Sequence, residues 1–167
     1  PDALAWLDRF ERPEVMFLCE GNHDLIEDGA RFRTEAAESE FQFLIGDAET
    51  VKVRGQRVQI LGAPWMGSVR DLDSLKDPDA FRILLAHHPH VFDEAEGYPL
   101  MLAGHTHGGQ LNLNDEVGFG ALMYRYWSGL YTRPDRSLVV SNGVGHWFPV
   151  RTAAPAEVLK LTLRATA

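Results

Sequence analysis

Leu102-Ala-Gly-His105-Thr-His107-Gly-Gly-Gln110 follows a short apolar run, Tyr98 to Ala103, and reads as a strand that stops abruptly in a loop. Two histidines two residues apart project to the same side if the backbone stays extended, because side chains alternate along a strand. Gly104, Gly108 and Gly109 let the main chain turn tightly beside whatever the imidazoles hold. Neutral imidazole is the commonest metal ligand. Taken alone, His-Thr-His fits a water-facing strand end better than a site, so the rest of the chain has to decide.

Two further stretches share this grammar. Val15-Met-Phe-Leu-Cys19 is a continuous apolar run, as expected of a strand buried on both faces, and it enters Glu20-Gly21-Asn22-His23-Asp24 directly. Phe81-Arg-Ile-Leu-Leu-Ala86 is a second such strand and ends at once in His87-His88-Pro89-His90. Open α/β sheets hold their ligands at the C-terminal ends of strands. If the three strands are neighbours, Asn22, His23, His87, His105 and His107 collect on one edge of a sheet.

The intervening chain supplies the scaffold. Leu4, Leu7 and Phe10, with Trp6 beside them, recur at helical spacing up to Pro13. Asp28 to Glu40 is helical in composition, and Asp71 to Lys76 reads as a short helix. Val51 to Ile60 alternates on both sides of Gly55, as a hairpin with one solvated face does, and Leu61-Gly-Ala-Pro-Trp65 leaves it as a loop. Gly129 to Thr132 and Ser137 to Ser141 flank a turn at Arg133-Pro-Asp-Arg136. A glycine-punctuated loop runs from Asn142 to Pro149, and Val158 to Leu163 alternates like a closing strand. No repeat or linker interrupts this pattern, which implies one domain over residues 1–167.

Composition narrows the chemistry. Hydrophobic residues make up 45% and charged residues 24% of the chain, an ordinary balance for a globular domain. A net charge of −8 argues against a nucleic-acid partner, while a phosphate substrate remains compatible if divalent cations invert the local potential. Cys19 is the only cysteine, so a thiolate cage is excluded and a transition metal would fall to His, Asn, Asp or Glu.

In order, Gly-Asn-His-Asp, Ala-His-His-Pro and Gly-His-Thr-His-Gly-Gly-Gln resemble the calcineurin-like metallophosphoesterase superfamily. Arg125 to Tyr131, Ser141 to Gly145, Pro149-Val-Arg151 and Ala154 to Val158 narrow the resemblance to its bacterial, membrane-associated YkuE/YaeI-like branch. The resemblance implies an α/β fold, a four-layer α/β/β/α sandwich, with a dinuclear centre of two divalent ions (Mn²⁺, Fe or Zn²⁺). It assigns Asn22, His87 and His105 to the second metal and His107 to the first. His23 would stand near the phosphate, stabilising the transition state or protonating the leaving oxygen, and Asp24 would orient it. Two divalent ions clamp a phosphoryl group and acidify an attacking water, and a histidine titrating near neutrality suits the general acid. The substrate class implied is a phosphodiester or pyrophosphate, with a lipid-linked envelope molecule of the UDP-diacylglucosamine type as one form. The location implied is cytoplasmic, or peripheral to the inner membrane of a bacterium through an N-terminal segment.

The family's Asp-x-His and Gly-Asp-x-x-Asp motifs, which supply the remaining ligands, have no counterpart here. Gly46-Asp47 comes after Gly-Asn-His-Asp and has Thr50 where the second Asp belongs, so it reads as a turn. The chain thus resembles the C-terminal part of the enzyme, truncated at the N-terminus, with weak metal binding and an exposed apolar edge on its first sheet expected. Two alternatives stand beside the enzyme: a non-catalytic scaffold of the same fold that binds a protein, and a one-metal structural site.

Single residues complete the reading. Pro89 selects His87 over His88 and His90 as the family histidine, leaving His90 free to face substrate. His146 lies in the late loop, within reach of a phosphate. Arg151 offers a planar fork to an anionic oxygen or to a structural salt bridge. Trp65 and Trp147 read as core or loop cover, and Cys19 as a small hydrophobe.

Overall fold

The computed structural model describes residues 15–26, 28–114, 117–147 and 149–164. The helix expected over the first ten residues lies outside them. A six-stranded mixed sheet dominates, in the order β3-β4-β5-β6-β8-β7, and β1 (Phe17–Leu18) pairs in parallel with β2 (Gln42–Phe43) in a second, two-stranded sheet. With the flanking helices this is the mixed α/β fold expected from the sequence.

The hairpin forms where the alternation placed it: β3 (Ala48–Val53) and β4 (Gln56–Gly62) run antiparallel, joined through Arg54 and Gly55. Both turn residues have positive φ, 51° and 82°, the geometry that twists a two-residue hairpin loop correctly. Leu61 and Gly62, expected in a loop, still belong to β4. A Cβ at Gly62 would fall 2.1 Å from the Leu44 carbonyl oxygen, so the missing side chain is what lets the segment after β2 lie against β4.

From β4 onward the sheet is parallel across β5 (Phe81–Ala86), β6 (Leu100–Ala103) and β8 (Arg136–Val140), and β7 (Gly129–Arg133) closes it antiparallel to β8. The register aligns Leu61, Leu84, Met101 and Leu138 in one row across four strands, each with no exposed surface. Leu72, from a 3₁₀ turn over Val69–Leu75, and Phe92, from α3 (Val91–Glu94), pack with that row in the core. Fully burying side chains of this size contributes about 1.5–3 kcal/mol each.

This register decides where the site lies. Four parallel strands end at the same edge, and their last residues are tied across by the Ala63 N–H to Leu85, the Gly104 N–H to His87 and the Ser141 N–H to Ala103. The connections that begin there carry Trp65, His87, His105 and Asn142.

Three expectations need correction. The 15–19 run forms only a two-residue strand, half-buried, with Val15 53% exposed, because β1 has β2 as its single neighbour among the described residues. It also belongs to the other sheet, so Asn22 and His23 reach the histidines from across the two sheets. The alternating 158–163 segment forms no strand among the described residues, and Val158, Leu161 and Leu163 are exposed. Alternation shows which residues share a face and supplies no strand to pair with.

Candidate metal centre

The loop after β1 turns straight into α1 (Asn22–Ile26), and α2 (Gly29–Glu38) follows with Asp28 as its N-cap. A Cβ at Gly21 would fall 2.7 Å from the His87 ring, so glycine there is what admits the imidazole beside Asn22. His87 Nε2 lies 2.8 Å from Asn22 Oδ1 and 3.0 Å from His105 Nδ1. Three of the predicted ligands therefore converge on one point, drawn from the ends of β1, β5 and β6.

The contents of this cluster fit a cation. Asn22 Oδ1 brings only lone pairs, and a single hydrogen on His87 Nε2 is all that the two contacts of that nitrogen can share. Donor atoms about 3 Å apart are close enough to share one ion at ligand distances of about 2.1 Å. Burial, followed by the charges of His105 and His88, pushes His87 down to about 4, and burial likewise lowers His105. Both imidazoles are held in the neutral form that ligates metal. Among the described residues no three His, Cys, Asp or Glu side chains form a cage by themselves, and the third donor here is an amide.

The extended geometry expected for His105-Thr-His107 is not adopted. His105 and His107 have φ of 70° and 51°, and a 3₁₀ turn runs over His107–Gly109. The glycine-rich sequence curls the loop, so the two imidazoles diverge from a common strand face. His107 Nδ1 faces the Gly145 carbonyl at 3.0 Å, the contact of an Nδ1–H donor that leaves Nε2 for a ligand. Burial lowers the His107 pKa, and the Gly145 carbonyl opposes it.

His23 is exposed on α1 and close enough to act by charge on His87, His105 and His107. Asp24 Oδ2 accepts the Gly21 N–H at 2.7 Å, so the carboxylate expected to orient His23 closes its own helical turn instead. His88 and His90 stack with centroids 4.3 Å apart, and the His88 ring lies 4.6 Å from that of His105. His146 is exposed and acts on His107 by charge. Gly46-Asp47 forms the bend into β3, as the sequence indicated. Cys19 is inert, its thiol pushed up to about 11 by burial first and by Asp24 second.

Arg151 follows neither expectation. Its terminal nitrogens donate to the carbonyls of His107 (3.1 Å), Ala154 (2.9 Å), Asn142 (3.0 Å) and Gly145. Trp65, expected in the core, instead walls the site, with its ring 5.4 Å from His87 and 5.5 Å from His105. Trp147 does the same beside His107 at 5.5 Å.

Several supports were missed in the sequence. Glu20, 1% exposed, accepts the Trp65 N–H at 3.1 Å and an Arg33 nitrogen at 3.1 Å, stapling the β1 loop to the β4 loop. Tyr124 packs 5.8 Å from His105 and 6.4 Å from Trp147. Buried Gln110 donates to the Val150 carbonyl at 3.0 Å and accepts the Trp147 N–H at its other end. Only Gln110 sat in a recognisable motif, the Gly-Gly-Gln after the histidines.

No protein-family model matches the chain, and no solved structure does. Curated proteins do. Phosphodiesterase YaeI of Escherichia coli is 28% identical over 156 residues, covering 88% of this chain and 57% of that protein. A metallophosphoesterase of Helicobacter pylori is 38% identical over 89 residues, 48% of this chain and 23% of the relative. The metallophosphoesterase YkuE of Bacillus subtilis is 34% identical over 94 residues, 52% of this chain and 32% of the relative. The chain thus spans little more than half of the first relative and a third or less of the other two. The chain is thus similar, over part of its length, to relatives in three bacterial genera that carry the metallophosphoesterase or phosphodiesterase name.

Proposed function

We propose that the chain is the C-terminal, ligand-bearing part of a single metallophosphoesterase domain that hydrolyses a phosphodiester or pyrophosphate bond. The convergence of Asn22 Oδ1, His87 Nε2 and His105 Nδ1 carries this reading. These three side chains would hold one divalent ion, and His107 Nε2 would contribute to a second. Two such ions, of the Mn²⁺, Fe or Zn²⁺ class that mixed nitrogen and oxygen donors favour, would supply charge neutralisation for a phosphoryl group and acidification of water. Asn22 brings no charge, which keeps the centre electrophilic.

The chain's own residues do the remainder. His23, exposed beside the cluster, gives its proton to the departing oxygen, and the Gly21–Asp24 bond fixes the turn that presents it. Trp65, Tyr124 and Trp147 exclude water from the flanks of the site.

A lipid-linked substrate is supported by what lies next to Tyr124. It follows α4 (Phe119–Met123), where Phe119, Leu122 and Met123 are 53%, 84% and 55% exposed. Leu111, Leu113, Val117, Phe119 and Leu122 line a groove of about 500 Å³ there. An apolar surface on the helix that leads into Tyr124 suits an acyl chain, and it favours a position at the membrane surface. Among the described residues no helix is long and apolar enough to cross a membrane.

The test is hydrolysis of a chromogenic phosphodiester with Mn²⁺. It compares this chain with a version extended by an upstream segment that supplies Asp-x-His and Gly-Asp-x-x-Asp. Turnover by the extended form, silenced by His23→Ala, is the expected result. An extended form that binds Mn²⁺ yet cleaves neither diester nor monoester would replace this reading with the protein-binding scaffold.

A further inference from the structure

His107 sits in a left-handed conformation inside a loop whose other bends, at His105 and Gln110, are also left-handed, with φ of 70° and 53°. Non-glycine residues hold such conformations only where their surroundings over-determine them. The neighbouring loop over residues 141–146 is equally irregular, with Gly143 at φ 63°. Among the described residues neither loop is part of a strand, so bonds outside the sheet tie the two together.

Arg151 does this. One terminal nitrogen donates to the His107 and Ala154 carbonyls, and the other donates to the Asn142 and Gly145 carbonyls. The Gly145 carbonyl is also the partner of His107 Nδ1 at 3.0 Å. The same guanidinium thus fixes the main chain of His107 and the acceptor that selects its tautomer. A guanidinium never loses its proton, so it cannot swap donor for acceptor, and its planar fork can bridge carbonyls that a lysine would reach singly. With its terminal nitrogens committed to backbone, those donors are not turned toward a substrate anion.

We propose that Arg151 is a positioning residue that holds His107 in the Nδ1–H tautomer with Nε2 presented to the metal. This rests on the reading of His107 as a ligand, and the experiment separates the two. The ¹⁵N-labelled chain is compared with Arg151→Met and Arg151→Lys. Ring nitrogen shifts of His107 are recorded before and after addition of Zn²⁺, and backbone amide spectra report folding.

In the parent, His107 is expected as a single Nδ1–H tautomer whose Nε2 shifts on Zn²⁺ addition. In Arg151→Met it becomes a mixture of tautomers and its apparent Zn²⁺ affinity drops by about 10–100-fold, the usual cost of losing a group that orients a metal ligand. His87 and His105 keep their parent response. Arg151→Lys falls between the two, and it decides the matter on the same readings if the Met variant does not fold.

A folded variant with an unchanged His107 tautomer overturns the proposal. So does an extended, active form in which Arg151→Lys raises KM and leaves kcat intact, since that marks an arginine that binds substrate. A parent His107 that ignores Zn²⁺ while its tautomer still depends on Arg151 removes the ligand reading and leaves the positioning role in place.

Discussion

Two polar clusters in this molecule are built on opposite hydrogen counts. At Asp93, on α3, one carboxylate oxygen accepts from Tyr126 Oη (2.7 Å), Arg133 (2.6 Å) and Arg125 (3.2 Å), while a second Arg133 nitrogen reaches the Phe92 carbonyl at 2.9 Å. Every donor there meets an acceptor of matching charge. At Asn22, His87 and His105, an amide oxygen and two ring nitrogens meet at 2.8 and 3.0 Å, and one hydrogen on His87 Nε2 cannot serve both contacts fully. A matched network is complete as it stands and holds α3 against β7. The crowded acceptors are what a bound cation would complete. The first serves stability, and under the proposed reading the second serves binding.

The sharpest way to break this contrast is to delete the central side chain of each cluster. His87→Ala should weaken Mn²⁺ binding by at least ~100-fold, more than the loss of a group that merely orients a ligand. The melting temperature of the metal-free chain should hold or rise, because the removed ring relieved no unmet donor. Calorimetric titration and thermal denaturation report the two effects separately. Gly21→Ala should follow with a smaller loss of affinity, about tenfold, since the new Cβ would lie 2.7 Å from the His87 ring and push it off Asn22.

Asp93→Ala should do the reverse, leaving Mn²⁺ affinity unchanged and lowering stability by roughly 1–2 kcal/mol after allowance for its partial exposure, as measured by urea denaturation. Burial raises the Asp93 pKa, but the hydrogen bonds from Tyr126 and Arg133 outweigh it and hold the carboxyl below its ordinary value. The folded pKa lies below the unfolded one. The contribution is therefore full above the ordinary carboxylate pKa of about 4 and fades as pH falls through the folded value. Stabilities of parent and Asp93→Ala should accordingly converge in acid. The smallest effect belongs to Glu20→Gln, which keeps an acceptor for the Trp65 N–H and gives up the charge and the acceptor facing the half-exposed Arg33. Its cost should stay under about 1 kcal/mol in the same denaturation experiment.

The residues that were legible in the sequence are those whose role is local. The hairpin at Gly55 and the 81–86 strand followed from alternation and apolar runs, and the proximity of Asn22, His87 and His105 followed from motifs at strand ends. What stayed hidden depends on neighbours far along the chain. Trp65 became a wall of the site because β4 lies beside β5, and Arg151 was spent on carbonyls that fold back from residues 107 and 142–145. The 158–163 segment shows the converse, a strand pattern with no strand partner among the described residues. At His105 and His107, left-handed turns in a glycine-rich loop replaced the extended geometry assumed for them.

The most direct test of the central claim is the Zn²⁺-induced change in the histidine ring nitrogen shifts of the ¹⁵N-labelled chain. His87 Nε2 and His105 Nδ1 should shift first, at Zn²⁺ levels that leave the His90 ring nitrogens unchanged, and Asn22→Ala should weaken that selective response. Equal shifts of all the histidines, or none ahead of His90, would show that the crowded acceptors at the strand ends do not form a metal site.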